Sequence, residues 1–239
     1  MRFERLLAGV AAVMPAYRPD ARLASRVSAL LAAGFARVIV VDDGSGPDFR
    51  AVFDAAADID GCDILRHSTN LGKGVALKTA FAHLLEDGRD VSGIVTVDAD
   101  GQHTPEDCRR VAETLAENPS AIVLGTRDFH FRSVPFRSWW GNTWTIGLFA
   151  LLYGTFVPDT QTGLRGFSVV LLPRIAAVPG NGYEYERSVL CRAARSHIPF
   201  SFTPIRTIYE ADNASSHFSP LRDTIRIYRV IFANLLSRL

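Results

Sequence analysis

The chain has 239 residues, 48% of them hydrophobic and 21% charged, with a net charge of +1. That length fits one large domain or two small ones, and the apolar content suffices for a sizeable core, which excludes a disordered chain. The near-neutral balance gives no global electrostatic footprint for nucleic acid, and no apolar run reaches the ~20 residues of a membrane span.

The opening 17 residues set a basic head before an apolar run, as a signal peptide would. The run ends in Met14-Pro15 without a small-residue cleavage site, however, and its apolar part is needed as a first buried strand. Further short apolar runs at 38–41, 64–66, 94–97 and 122–124 join 10–14 as predicted strands. Each is followed by turn or polar residues, the pattern of a parallel sheet buried on both faces. Between them, 20–33, 49–57, 75–85 and 106–117 carry helical spacing, and Pro105 behind Thr104 reads as an N1 proline after an N-cap. This is a βαβ series, so an α/β sandwich around a mainly parallel sheet follows.

The second half is less regular. Residues 138–153 read as an aromatic helix, 164–170 as a strand, 183–194 as a helix and 200–209 as a strand, and a last helix runs from Pro220, capped by Ser219, to the end. No repeat, low-complexity tract or linker divides the chain. We therefore expect a single domain over 1–218, with an amphipathic helix at 219–239 packed on it or lying at a membrane surface. Cys62, Cys108 and Cys191 are far apart and odd in number, without the spacing of a zinc site or a CxxC pair, which fits a reducing cytosol.

In open α/β sheets, ligands bind beyond the carboxyl ends of the strands. The strand ends here deliver Pro15-Ala16-Tyr17, Asp42-Asp43-Gly44-Ser45, Asn70-Leu71-Gly72-Lys73-Gly74, Asp98-Ala99-Asp100-Gly101-Gln102-His103 and Gly125-Thr126-Arg127. Singly, each has a structural explanation as a turn or helix start. In order, and all at strand ends, they describe one polar rim. Asp98-x-Asp100 carries the most chemistry, because two carboxylates at a strand end repel unless a cation bridges them, and a hard divalent ion is the natural partner. Magnesium or manganese held there would neutralise charge developing on a departing nucleoside diphosphate.

The series Val-Met-Pro-Ala-Tyr, Val-Val-Asp-Asp-Gly-Ser, Asn-x-Gly-Lys-Gly and Asp-Ala-Asp-Gly-Gln-His resembles family-2 glycosyltransferases, in particular the branch of dolichyl- and polyprenyl-phosphate sugar synthases. The resemblance spans roughly residues 8 to 218. It implies a GT-A fold and an inverting transfer of a hexose or N-acetylhexosamine from a GDP- or UDP-linked donor. It also implies that Pro15, Tyr17, Asp42 and Asp43 hold the nucleoside, with Lys73 among the donor-binding residues, and that Asp98, Asp100 and Gln102 bind the metal (Mg2+ or Mn2+) and diphosphate. His103 is read as a cap of the following turn. The first motif commonly continues Tyr-Asn-Glu in the family, whereas Arg18-Pro19 follow Tyr17 here, so the nucleobase stays open between guanine and uracil.

Further on, Asp159-Thr-Gln-Thr-Gly-Leu-Arg165 resembles the family's Asp-x-x-Thr-Gly motif near the acceptor. Asp159 is a general base if the acceptor is a hydroxyl, and positions rather than deprotonates if it is a lipid phosphate; a turn aspartate is the structural alternative. Arg127 and Arg137 fall where the polyprenyl-phosphate branch places acceptor-phosphate arginines, and Arg is suited to bidentate phosphate binding. Ser216 and His217 stand where the family often carries a cationic loop that folds over the donor. Glu184 and Glu186 are assigned no role, since acids at a helix start are favoured by the helix dipole. Two other functions compete: a sugar-1-phosphate nucleotidyltransferase, which would show a Gly-rich loop after the first strand where Pro15-Ala16-Tyr17 stands, and a non-catalytic sugar-nucleotide-binding subunit, against which the intact Asp98 and Asp100 argue.

The acceptor expected from the resemblance is a polyprenyl phosphate or another lipid or glycan. Trp139, Trp140 and Trp144, together with apolar residues at helical spacing beside Arg222, Arg226 and Arg229, predict a peripheral position on the cytoplasmic face of a membrane.

Overall fold

The apolar runs pair into one seven-stranded sheet, because strands that are apolar on both faces must be covered on both. In a computed structural model of the protein, residues 9–87, 91–127, 146–206 and 234–235 are described. The strands are β1 (Val10–Ala16), β2 (Arg37–Asp42), β3 (Cys62–Arg66), β4 (Gly93–Thr96), β5 (Ile122–Arg127), β6 (Arg165–Ser168) and β7 (Phe200–Ile205), in the spatial order β3-β2-β1-β4-β6-β5-β7. All neighbours pair in parallel except that β6 runs antiparallel to both β4 and β5.

Helices cover both faces. On one lie α1 (Leu23–Ala32), α2 (Arg50–Ala57) and α4 (Pro105–Glu117), packed on Ala12, Met14, Val38, Val40 and Val95. On the other lie α3 (Lys73–Glu86), a helix over 146–153 (α5), α6 (Leu172–Ala176) and α7 (Glu184–Arg195), packed on Ala11, Val13, Ile39, Val41 and Ile94. Adjacent strand residues therefore serve opposite layers, as the two-residue period of a strand requires. The expected N-cap is in place: the Thr104 hydroxyl accepts from Asp107 N at 3.1 Å, ahead of Pro105.

The predicted elements of the first half correspond to observed ones with ends shifted by a few residues. In the second half the expected strand over 164–170 is shorter, because a 3-10 turn at Val169–Leu171 and α6 take over. Trp139, Trp140, Trp144, Arg137, Ser216 and His217, and the predicted terminal helix apart from 234–235, lie outside the described residues. Asn234 is 6% exposed and donates to Ser188 Oγ at 3.2 Å, so at that point the terminal segment packs on α7. No described helix is long and apolar enough to cross a membrane. All three cysteines are free thiols.

The reversed strand β6 matters for the site. Arg165 stands opposite Thr96, so the residues just before Arg165 lie beside the carboxyl end of β4, and the Thr96 hydroxyl donates to Gly163 O at 2.7 Å. The loop 159–164 is thereby brought against Asp98.

Candidate active site

A cleft of about 800 Å3 opens at the carboxyl ends of β1, β2 and β4, within the size range of small-molecule sites. Pro15, Tyr17, Asp43, Lys73, Asp98, Asp100 and Gln102 line it, so seven residues expected from separate sequence motifs share one wall-to-wall space. Tyr17 is 46% exposed and Tyr183, at the head of α7, is 72% exposed on the same cleft.

Asp42 is not among the lining residues. It is 8% exposed and its Oδ1 accepts from Ser45 N at 2.9 Å, so its side chain shapes the turn that precedes Ser45. Asp43 lines the cleft but is also a tie. Its Oδ1 accepts from Leu71 N at 2.9 Å and faces His67 Nδ1 at 2.8 Å, and its Oδ2 accepts from Gly72 N at 2.8 Å. His67 in turn meets Thr79 Oγ1 at 2.9 Å. Together these bonds fix the Asn70–Gly74 segment to the end of β2 and aim the start of α3 into the cleft.

Lys73 opens α3, where a helix dipole disfavours a cation, and it stays there because two carboxylates receive it. Its Nζ lies 2.6 Å from Asp98 Oδ1 and 2.8 Å from Glu186 Oε2. Burial would lower the lysine pKa, but Asp98 and Glu186 hold the ammonium charged well above its ordinary value. Burial would likewise raise Asp98, yet Lys73 and then His103, 3.7 Å away, keep that carboxyl ionised far below the usual range. Asp100 goes the other way: burial and the neighbouring Asp98 charge raise it, while Gln102 N donates to its Oδ1 at 2.9 Å. The rise of Asp100 therefore reports, beside burial, repulsion from the ionised Asp98, which a divalent cation would relieve.

The loop that carries them is held from behind. Arg26 on α1 donates to Ala99 O at 2.8 Å and Asp100 O at 3.1 Å, while its other contacts grip Asp20. Gly101 takes φ +83, and a Cβ there would lie 2.8 Å from Arg26 Nε. From the front, Gly163 leaves room for the carboxylate: a Cβ at that position would lie 2.2 Å from Asp98 Oδ2. The glycine of the Asp-x-x-Thr-Gly motif is thus required by close approach to Asp98.

Asp159 is sealed. It is 0% exposed, accepts from Arg127 Nε at 2.8 Å and Nη2 at 3.2 Å, and caps its own loop through Gln161 N at 2.9 Å and Thr162 N at 3.1 Å. In this arrangement the Asp159 carboxylate is spent on Arg127 and on its own loop, and has no exposed surface toward the cleft. Arg127 keeps 26% of its side chain exposed.

Sequence reasoning passed over Glu186, Arg26 and Arg165. An acid at the head of α7 has a sufficient local explanation in the helix dipole, and the contact of Glu186 with Lys73 joins segments far apart in the chain. Arg165 is 2% exposed, donates through Nε to Thr162 O at 2.9 Å and through Nη1 to Glu186 O, and so ties the 159–165 loop to α7. Its position at the end of the Asp-x-x-Thr-Gly-x-Arg stretch was the available signal.

A doubly covered, mostly parallel sheet with an acidic pair and a lysine at its carboxyl rim has the architecture expected of a GT-A glycosyltransferase. The family model for glycosyl transferase family 2 matches residues 11–173, well over half of the chain, and the chain belongs to that family. A UDP-N-acetylglucosamine–dolichyl-phosphate N-acetylglucosaminyltransferase of Methanococcus voltae is 28% identical over 214 residues, covering 82% of this chain and 84% of the relative. A polyprenol monophosphomannose synthase of Mycolicibacterium smegmatis is 28% identical over 180 residues, covering 70% of this chain and 66% of the relative. These relatives support the polyprenyl-phosphate sugar synthase branch. Among solved structures, glucosyl-3-phosphoglycerate synthase from Mycobacterium tuberculosis, in complex with Mn2+, UDP and phosphoglyceric acid, superposes with a TM-score of 0.71 at 18% identity, covering 99% of this chain and 82% of that one. That likeness establishes the fold.

The residues present fit a divalent cation of the kind that substrate phosphates help to hold. Asp98 and Asp100 offer carboxylates at the cleft, and no group of three or more acidic, His or Cys side chains among the described residues forms a closed cage. Mg2+ is typically bound by one or two carboxylates plus substrate phosphates, which is the arrangement this donor set allows.

Proposed function

We propose that the chain transfers a hexose or N-acetylhexosamine, with inversion, from a UDP- or GDP-linked donor to a polyprenyl phosphate at a membrane surface, using Mg2+ or Mn2+. The observation that carries this reading is the convergence of Asp98, Asp100, Gln102 and Lys73 in one cleft with Pro15, Tyr17 and Asp43. Asp98 and Asp100 would hold the metal, which when bound supplies Lewis-acid neutralisation of the leaving diphosphate. Lys73 adds a donor to the same oxygens, and Tyr17 offers its exposed ring to the nucleoside.

The sealed Asp159 favours a phosphate acceptor over a hydroxyl. A phosphate oxygen is already anionic at neutral pH, so it attacks the anomeric carbon without a base, from the face opposite the departing diphosphate. Asp159 then acts by holding Arg127 in a bidentate grip so that the guanidinium meets the acceptor phosphate. Arg137 would add a second cation, and Ser216 and His217 would close over the donor. The exposed side chains of Leu151 (80%) and Phe156 (64%) offer apolar contacts for a lipid surface, which fits the peripheral position on the cytoplasmic face expected from the sequence. Asn234 packs on the domain through Ser188, which supports the packed alternative for the expected terminal segment at that point.

A donor panel of UDP- and GDP-linked hexoses and N-acetylhexosamines, offered with Mg2+ or Mn2+ against a membrane lipid extract, tests this by mass spectrometry of the products. The expected result is one sugar added to a polyprenyl phosphate. Transfer to a water-soluble acceptor, or no product from any donor, would contradict it.

A further inference from the structure

The cleft carries a cation of its own. Lys73 is 13% exposed, and its ammonium rests on Asp98, one of the two carboxylates assigned to the divalent ion. Two cations that need the same oxygen compete for it, because each gains from the charge that the other would neutralise.

The lysine does not depend on Asp98 alone. The start of α3 is pressed against the segment leading into α7: a Cβ on Gly72, at φ +99, would lie 2.5 Å from Asn181 O, and one on Gly74 would lie 2.6 Å from the Tyr185 Cβ. That close approach brings Lys73 to Glu186 Oε2 at 2.8 Å. The backbone of Glu186 is fixed in turn, since its carbonyl accepts from the buried Arg165. Glu186 Oε1 is buried with no hydrogen-bond partner among the described residues, which leaves Lys73 as the polar contact of this carboxylate.

Resting on the donor-binding reading above, we propose that Glu186 is a positioning residue that shares Lys73 with Asp98, making the lysine a built-in competitor for the divalent cation until donor arrives. While no donor is bound, the ammonium neutralises Asp98 and the site holds free metal weakly. With metal and diphosphate bound together, Asp98 would hold the metal, and Lys73, still anchored on Glu186, would be released to donate to the diphosphate. Metal and nucleotide therefore load as a unit.

The test is the electron paramagnetic resonance signal of free Mn2+ titrated with the purified full chain in the absence of nucleotide. The double variant Lys73→Met/Glu186→Gln removes one charge of each sign, so the local net charge is unchanged while the competitor is gone. It is expected to bind Mn2+ about tenfold more tightly than the wild type. Glu186→Gln alone leaves Lys73 leaning wholly on Asp98 and is expected to bind more weakly than the wild type. A structural role alone would weaken both, so a double variant that binds no more tightly than the wild type, with an unchanged circular dichroism spectrum, overturns the proposal. Should the double variant melt early, Lys73→Gln carries the same expectation, and equal or weaker Mn2+ binding overturns the proposal there too. Absence of Mn2+ binding from the wild type and every variant, even with UDP or GDP present, would instead sink the metal-dependent reading on which this rests.

Discussion

Asp98→Asn is expected to lower turnover about a thousandfold at saturating Mn2+, the scale on which loss of one transition-state charge contact is felt. The melting temperature should stay within about 3 °C of the wild type, because the change is isosteric and removes no core contact. The physical reason lies in where the carboxylate points. Asp98 lines the cleft, fits against Gly163 without a Cβ between them, and an amide preserves that volume. Lys73 keeps its contact with Glu186, so no buried ammonium is stranded. Turnover measured beside a thermal melt checks both halves. Retention of more than about a tenth of the activity would remove Asp98 from the chemistry.

Arg127→Ala should act first on stability. The substitution leaves the Asp159 carboxylate, 0% exposed, without the guanidinium that neutralises it. Breaking a buried pair by removing one partner costs about 3–5 kcal/mol, which for a chain of this size is a drop of roughly 6–20 °C in melting temperature. Arg127→Met/Asp159→Asn is expected to recover most of that loss. It removes both charges, and the Asn oxygen still accepts from Gln161 N and Thr162 N. The recovered variant should nonetheless bind a lipid-phosphate acceptor far more weakly than the wild type while its donor KM stays close to the wild-type value. Recovery of acceptor binding along with stability would show that Arg127 serves only to pair Asp159.

The first half of the fold is legible in the sequence because strands buried on both faces leave continuous apolar runs, and strand-end polar residues mark where the chain leaves the sheet. Val10–Ala16 and Arg37–Asp42 are of this kind. Strand direction is not so written. Arg165–Ser168 is a short apolar-flanked stretch whose antiparallel placement beside β4 depends on pairing with Thr96 and its neighbours, and no local pattern records that. The same limit governs the site. Pro15, Tyr17, Asp43, Lys73, Asp98, Asp100 and Gln102 belong to motifs and converge on one cleft. Glu186 enters through the packing of α7 on α3, and its sequence context, an acid in the first turn of a helix, has a sufficient local explanation. Asp159 shows the converse case: its motif announces a polar site, but burial and the Arg127 partner decide what its carboxylate can do.

Transfer to a lipid phosphate is tested most directly with purified protein, a radiolabelled nucleotide sugar, and either dolichyl phosphate or dolichol as the sole acceptor, each with Mn2+ and with chelator. Lipid-borne label is expected with dolichyl phosphate and Mn2+, and none with dolichol or with chelator. Equal labelling of dolichol, or labelling of dolichyl phosphate that survives removal of the metal, would contradict it.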